Sequence, residues 1–167
     1  MLFYFRGSNL FRIVKHTPTL DAFVSGDAEA VENRFDTYLS RIISIRDTSV
    51  RKRKKENFYH GILLGLLSHC EDWYIHSSVE SGDGYSDILV ETEDGISIVI
   101  EVKYPDSNVK SKGEKFLYEI LEKGCRDALQ QIDTKGYEEK LCQDGLEIIL
   151  KYGIACNRKK YRAMLKK

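Results

Sequence analysis

Residues 85–104 read YSDILVETEDGISIVIEVKY, and this stretch decides the fold because it predicts a β-hairpin. Apolar and polar residues alternate on both sides of Asp94-Gly95, which is a strong turn signal. A two-residue loop would set Asp87 and Glu91 among isoleucines, where an unpaired buried charge costs several kcal/mol. A three-residue loop with its glycine in the left-handed region instead aligns the apolar residues and puts Asp87 opposite Glu101. We therefore predict the three-residue loop.

The predicted register opposes two carboxylates, those of Asp87 and Glu101. Directly opposed residues have Cβ atoms about 5 Å apart, where like charges repel. A hard cation such as Mg²⁺ or Mn²⁺ would relieve the repulsion, and carboxylate oxygens are ligands that it prefers. Lys103 follows on the same face, within reach of a metal-bound water or a scissile phosphate. The alternative is a solvated surface pair neutralised by Lys103, and the hairpin alone does not decide between the two.

The rest of the chain surrounds this hairpin with helices and further strands. The predicted elements are a helix from the N-cap Asp27 to Ile42, helices over 53–70 and 113–132, a short helix over 137–142, and strands over 74–79 and 147–156. The order α-α-β-β-β-α-β predicts an α/β (α+β) domain with a mixed sheet and helices on its faces. Gly61 and Gly65, four residues apart on one helix, are expected to let another element approach closely.

Composition narrows the class of protein without naming a partner. The 26 basic and 26 acidic side chains give a net charge of zero, so bulk charge does not indicate a nucleic-acid binder. The basic runs at 51–55 and 158–167 could contact phosphate, although a solvated helix start and a solvated tail are favoured. The four cysteines lack metal-ligand spacing and are predicted to be buried. With no convincing signal peptide or membrane-spanning stretch, we expect a soluble cytoplasmic protein.

The stretch GYSDILVETEDGISIVIEVK resembles the signature of the PD-(D/E)XK nuclease superfamily, an acid at one strand end followed by (D/E)-x-K on the next strand. More closely, the chain resembles the nuclease-like domain found C-terminal to bacterial AAA-ATPase-like proteins. The matching segments are DAFVSGDAEAV, ENFYHGILLGLL, SSVESGDGYSDILV, IVIEVKY, ALQQIDTKGYEEKL and KYGIAC. This resemblance implies a restriction-endonuclease-like α-β-β-β-α-β core in residues 49–167, preceded by an N-terminal helical extension in residues 1–48.

The resemblance implies a nuclease that uses Mg²⁺ or Mn²⁺ to hydrolyse DNA, with RNA as the alternative substrate. It implies metal ligands at Asp87, at Glu101 and at the carbonyl of Val102. Lys103 matches the lysine that orients or deprotonates the attacking water and stabilises the developing charge.

Two helical residues complete the implied site. Glu56 matches an acid that contacts the metal through water, and a helical ion pair with Lys52 is the alternative. Gln131 matches a helix residue near the site, and capping of a neighbouring loop is the alternative. His60 is interpreted as a packed helix histidine and Tyr137 as a core aromatic.

Departures from the family pattern limit what the resemblance implies. Ser86 stands where the signature has proline, and this chain has Tyr85-Ser86 in the stretch where many relatives carry an arginine. There is no G-x-x-x-x-G-K-[ST] motif for an ATPase. The resemblance therefore suggests a separately encoded ATPase as a partner. It also suggests a homodimer that cuts both strands. A catalytically silent module that binds nucleic acid or such an ATPase is the competing interpretation.

Overall fold

The fold is seen in a computed structural model that describes residues 18–42, 52–70, 73–77, 87–105, 113–136 and 148–167. The helices in these ranges are α1 (Pro18–Ser25), α2 (Ala28–Ile42), α3 (Lys52–Leu67) and α4 (Gly113–Lys135). The strands are β1 (Trp73–Ser77), β2 (Asp87–Thr92), β3 (Ile96–Lys103), β4 (Ile148–Asn157) and β5 (Lys160–Lys166).

The five strands form one sheet in the order β1-β2-β3-β4-β5. Neighbouring strands are antiparallel except β3 and β4, which are parallel. A parallel pair needs a long crossover, and α4 lies in that connection. The mixed sheet with helices packed on it confirms the predicted fold class.

The hairpin has the predicted register. Asp87 pairs with Glu101, and Glu91 pairs with Ser97. Three residues connect the strands, and Gly95 has a φ of 78°, a region that side chains disfavour. The Gly95 N–H donates to the Thr92 carbonyl at 3.1 Å, which closes the turn. The physical reason is that this register keeps four large apolar side chains together on the face of the main core, namely Ile88, Val90, Ile98 and Ile100.

Side chains alternate along β3, so its two faces pack against different helices. Ile98, Ile100 and Val102 belong to the main core, together with apolar residues of α1, α2 and α3. Val99 packs instead against Ile132 of α4. The acid and the lysine predicted for the site share the Val99 face, so they point toward α4.

The α1–α2 junction contains one element that the sequence predicts and one that it misses. Gly26, with φ of 73°, ends α1, and its N–H donates to the Phe23 carbonyl. The Asp27 side chain accepts a hydrogen bond from the Ala30 N–H at 2.9 Å, which confirms Asp27 as the N-cap of α2. Helix α1 was not predicted, because its eight residues are too few to show a clear apolar period.

The prediction of a solvated tail at 158–167 is wrong. Residues 160–166 form the edge strand β5, paired antiparallel with β4. Tyr161 is buried in the main core, and Ala163 and Leu165 pack against that core. The basic side chains between them obscured this alternation in the sequence, and the structure pairs them with acids on the helices. These pairs are Lys160 with Glu114, Arg162 with Glu32, and Lys166 with Asp133.

The expected close approach at Gly61 and Gly65 is also wrong. A Cβ built at either position would have no atom within 4 Å among the described residues. Both glycines lie on the exposed side of α3, because the helix packs through Tyr59, Leu63 and Leu67 instead.

Three of the predicted buried cysteines, Cys70, Cys125 and Cys156, are buried as expected. Cys142 and the predicted helix over 137–142 lie outside the described residues. Across the ranges that the structure describes, none of the helices combines the length and apolarity needed to cross a bilayer.

Candidate active site

The candidate site lies where β2 begins and β3 ends, at one edge of the sheet. Asp87 is the cross-strand partner of Glu101, so the backbone brings the two predicted acids together. The Glu101 side chain is 0% exposed. A carboxylate in that environment requires compensating positive charge or hydrogen-bond donors. The carboxylate of Asp87 lies outside the described side chains.

Lys103 supplies positive charge to this acid. Its Nζ lies 2.7 Å from Glu101 Oε1, and the lysine side chain is 25% exposed. The same Nζ donates to Gln131 Oε1 of α4. A partly accessible ammonium is therefore held between a buried carboxylate on its own strand and an amide on the helix above.

Glu56 reaches the same edge from the other side of the sheet. Its Oε1 accepts a hydrogen bond from the Tyr104 N–H at 3.0 Å. Tyr104 directly follows Lys103, so α3 delivers this acid to the carboxyl end of β3. The hydrogen bond goes to the backbone and not to Glu101 or Lys103. The alternative pairing of Glu56 with Lys52 falls on a side chain outside the described residues.

The side chain of Val102 cannot be a ligand at the site, which leaves its backbone carbonyl as the predicted one. The side chain is buried in the main core, on the face opposite Glu101. The described pairing of β2 with β3 ends at Asp87 and Glu101, and Val102 is the next residue of β3. Val102 therefore directly follows the cross-strand pair that contains both predicted acids.

Helix α4 can reach Lys103 because it packs closely on β4. Gly153 is the β4 partner of Glu101. A Cβ at Gly153 would overlap the carbonyl oxygen of Cys125 and lie 3.0 Å from Leu129 Cγ. The absence of a side chain at Gly153 therefore sets the spacing between α4 and the sheet. The contact lies within two helical turns of Gln131.

An ion-pair cluster holds the end of α4 beside the site. Asp133 lies 2.9 Å from Lys151 of β4 and 2.6 Å from Lys166 of β5. Hydrogen bonds from Lys151 and then Lys166 hold the pKa of Asp133 below its usual range, so it stays ionised. The Lys151 side chain is nearly buried, which makes this carboxylate its structural counter-charge.

Other potential ligands are occupied in packing. His60 is 6% exposed, and its Nε2 lies 3.0 Å from Ser77 Oγ, in keeping with a packed histidine. Burial raises the pKa of the Cys125 thiol to about 12, so it is protonated and unsuited to metal binding. Within the described side chains, which do not include that of Asp87, no group of three His, Cys, Asp or Glu residues lies close enough together to hold a metal ion.

Sequence reasoning missed Gly153, the Tyr104 amide and the Asp133–Lys151 pair. Glycine inside the strand-like segment KYGIAC was an available signal, because it often marks close backbone approach. The other two features join residues far apart in the chain, and no local pattern indicates them.

A comparison with protein-family models identifies a family for this chain. The model described as PD-(D/E)XK nuclease superfamily matches residues 54–165. No curated protein matches the chain, and no solved structure matches it. The matched range includes α3 from its third residue, α4, and all of the sheet except Lys166, and it contains every residue of the candidate site.

Proposed function

Because the chain belongs to the PD-(D/E)XK nuclease superfamily, we propose that it is a divalent-metal-dependent nuclease that hydrolyses phosphodiester bonds in DNA. The observation that carries this proposal is the position of the Lys103 ammonium, which contacts Glu101 and Gln131. Glu101 is in turn the cross-strand partner of Asp87. An ammonium held in this position can stabilise the negative charge that develops on a phosphate during hydrolysis, and acids beside it can hold a metal ion.

The residues of the site fit a hard divalent cation. Asp87 and Glu101 supply two acids at one cross-strand pair, against the single ammonium of Lys103. The balance at that pair is negative, and a cation would offset it. Asp87, Glu101 and the carbonyl of Val102 would hold Mg²⁺ or Mn²⁺, and Glu56 would contact it through water. When bound, the ion would polarise the phosphate and lower the pKa of a water molecule.

The chain's own residues have separable roles in this proposal. Lys103 orients the attacking water and stabilises negative charge that develops on the phosphate. Gln131 positions Lys103, because its amide oxygen accepts a hydrogen bond from the ammonium. Glu56 keeps the end of β3 in place through the Tyr104 amide. Glu101 both neutralises Lys103 and faces the proposed metal.

Several finer expectations remain predictions of the same proposal. We place the protein in the cytoplasm on its cysteine usage, which includes the buried thiols of Cys125 and Cys156. A homodimer and a separately encoded ATPase partner stay predictions. The division into residues 1–48 and 49–167 does as well.

The test compares wild-type protein with Glu101→Gln and Lys103→Ala in DNA cleavage with Mg²⁺ or Mn²⁺. We expect each substitution to lower the cleavage rate by about 100-fold or more, since Lys103→Ala removes the ammonium that stabilises charge on the phosphate and Glu101→Gln removes a proposed metal ligand. Glu101→Gln should also weaken Mn²⁺ binding in calorimetry. Glu119→Gln and Lys123→Ala are matched controls on the exposed side of α4 and should change neither quantity.

Two outcomes would reject the proposal. Wild-type protein that cleaves no form of DNA and takes up no Mn²⁺ is not a metal-dependent DNA nuclease. Cleavage that survives both site substitutions belongs to another site. DNA binding that persists in both variants, without cleavage by any of the proteins, would favour the silent binding module.

A further inference from the structure

The turn between β4 and β5 carries basic side chains beside the candidate site. Arg158 and Lys159 form this turn, directly after the carboxyl end of β4. Since β4 runs parallel to β3, both strands end at the same edge of the sheet. Asn157 Nδ2 also donates to the Pro105 carbonyl at 2.8 Å, which links the turn to the segment just after Lys103.

The turn is held in one position despite an unfavourable backbone conformation. Arg158 has a φ of 55°, a region sparsely populated by residues other than glycine. Its carbonyl accepts hydrogen bonds from the hydroxyls of Tyr59 at 2.5 Å and Tyr161 at 3.1 Å. Burial raises the pKa of Tyr59, so its hydroxyl keeps the proton that it donates. Both tyrosines belong to the main core, so the turn is anchored to the interior.

A third basic side chain comes from α3. The Nζ of Lys55 lies 4.6 Å from the ring centroid of Tyr104, and that ring stacks on Tyr59 at 6.0 Å. Lys55 also directly precedes Glu56, whose carboxylate holds the Tyr104 amide. Lys55 and the β4–β5 turn thus converge on one aromatic cluster at the end of β3. We call Lys55, Arg158 and Lys159 the basic rim.

Among the described residues, the basic rim differs from the other basic side chains nearby because it forms no ion pair with an acid. Lys160, Arg162 and Lys166 of β5 each pair with a carboxylate of α2 or α4. None of the three rim side chains has a carboxylate within ion-pair distance in the part of the chain that the structure describes. In a chain of zero net charge, this leaves a local positive surface next to the site.

We propose that the basic rim binds the sugar-phosphate backbone of nucleic acid and holds it beside Glu101 and Lys103. Backbone phosphates are the anions that the proposed nuclease must bring to this edge, so the inference rests on the proposed function for its choice of ligand. Contacts to phosphate position a nucleic acid without reading its sequence. The rim therefore supplies affinity and orientation at the site, and no base preference.

The test measures binding of a short fluorescein-labelled DNA duplex by anisotropy, over about 50 to 200 mM salt. EDTA is present, so binding is read without turnover. Each phosphate contact adds about 0.9 to the slope of log affinity against log salt. We expect Arg158→Asn/Lys159→Gln to reduce that slope by about 2, and Lys55→Gln to reduce it by about 1.

Two sets of variants control for charge and folding. Lys123→Gln/Arg126→Gln removes the same charge from the exposed side of α4 and should leave the slope unchanged. Asparagine tolerates the left-handed region, so Arg158→Asn keeps the turn. Arg158→Lys keeps the charge and should keep the slope. Thermal melting of every variant checks the fold.

The outcomes separate this inference from the proposed function. A slope reduced by the rim variants and not by the control supports the rim, even if wild-type protein cleaves no DNA. Equal slopes in all proteins, an equal fall in the rim and control variants, or no DNA binding by wild-type protein overturns the rim. Each of these results holds whether or not cleavage is seen.

Discussion

Lys103 shows how much of a site one residue contact can define. Its ammonium touches Glu101, two residues away, and Gln131, which lies 28 residues further along the chain. The first contact follows from strand alternation, because both side chains share a face. The second depends on where α4 packs. Resemblance to a family pointed to Gln131, and the structure shows which atom it contacts.

At the residue scale, we predict that Gln131→Ala lowers kcat by about 10- to 100-fold, as loss of a supporting partner does at comparable sites. The amide positions Lys103 and does not touch substrate in our proposal, so KM should change little. Steady-state kinetics on DNA checks this split between kcat and KM.

Gln130→Ala is the matched control, because Gln130 is the preceding residue of α4 and is exposed. It should leave both kinetic constants unchanged. A Gln131→Ala enzyme with normal kcat would show that Lys103 is positioned by Glu101 alone.

At the scale of elements, α4 and β4 pack at unusually close range. The backbone of α4 at Cys125 packs directly against Gly153, where there is no side chain. A Cβ on Gly124 of α4 would lie 3.0 Å from the Ala155 Cβ. Small residues on both elements therefore allow the close approach. Asp133 then ties the end of α4 to Lys151 and Lys166. The helix carries Gln131, so its spacing from the sheet is part of the site.

We predict that Gly153→Ala lowers the free energy of unfolding by about 1–3 kcal/mol, because the new methyl group meets backbone that cannot move freely. DNA cleavage should fall as well, since α4 must shift. Denaturant unfolding and cleavage rates measure the two effects.

Gly65→Ala is the control, with the opposite expected sign. It lies in an exposed helical position where no other described element comes within 4 Å of the new Cβ, so it should stabilise by about 0.5–1 kcal/mol. Equal effects of the two substitutions would contradict the packing role of Gly153.

At the scale of the whole molecule, the N-terminal helices share a core with the sheet. Phe35 of α2 packs edge-to-face on Tyr161 of β5, with ring centroids 5.3 Å apart. Arg162 of β5 lies 3.0 Å from Glu32 of α2. The hydroxyl of Tyr152, in β4, donates to the Phe23 carbonyl of α1 at 2.8 Å. These contacts argue for one cooperative unit.

We therefore predict that Phe35→Ala lowers the free energy of unfolding by about 3–5 kcal/mol, the usual cost of emptying a buried aromatic site. The fluorescence of Trp73, the single tryptophan, should report the same shifted midpoint as circular dichroism. Tyr38→Ala, at a half-exposed position of α2, should change the midpoint little.

An unshifted Trp73 transition in Phe35→Ala would show instead that residues 1–48 fold apart from the sheet. That result would support the predicted division of the chain at residue 48.

The sequence by itself determined the hairpin and the residues that the hairpin brings close to one another. Strand alternation and turn chemistry act between neighbours in the chain, so the register, the Asp87–Glu101 pair and the face of Lys103 all follow from local pattern. The N-cap of α2 was predicted for the same reason. The family resemblance added Glu56 and Gln131 as candidate site residues, but it did not indicate which atoms they contact.

Only the tertiary structure decided the partners of those candidates and the use of the chain's last residues. Glu56 meets the Tyr104 amide, Gln131 meets Lys103, and a tail expected to be solvated forms β5. Each of these contacts joins residues from separate elements, and its existence depends on how the elements pack. A pattern within one helix or strand shows which face is apolar, and it does not show which other element will cover that face.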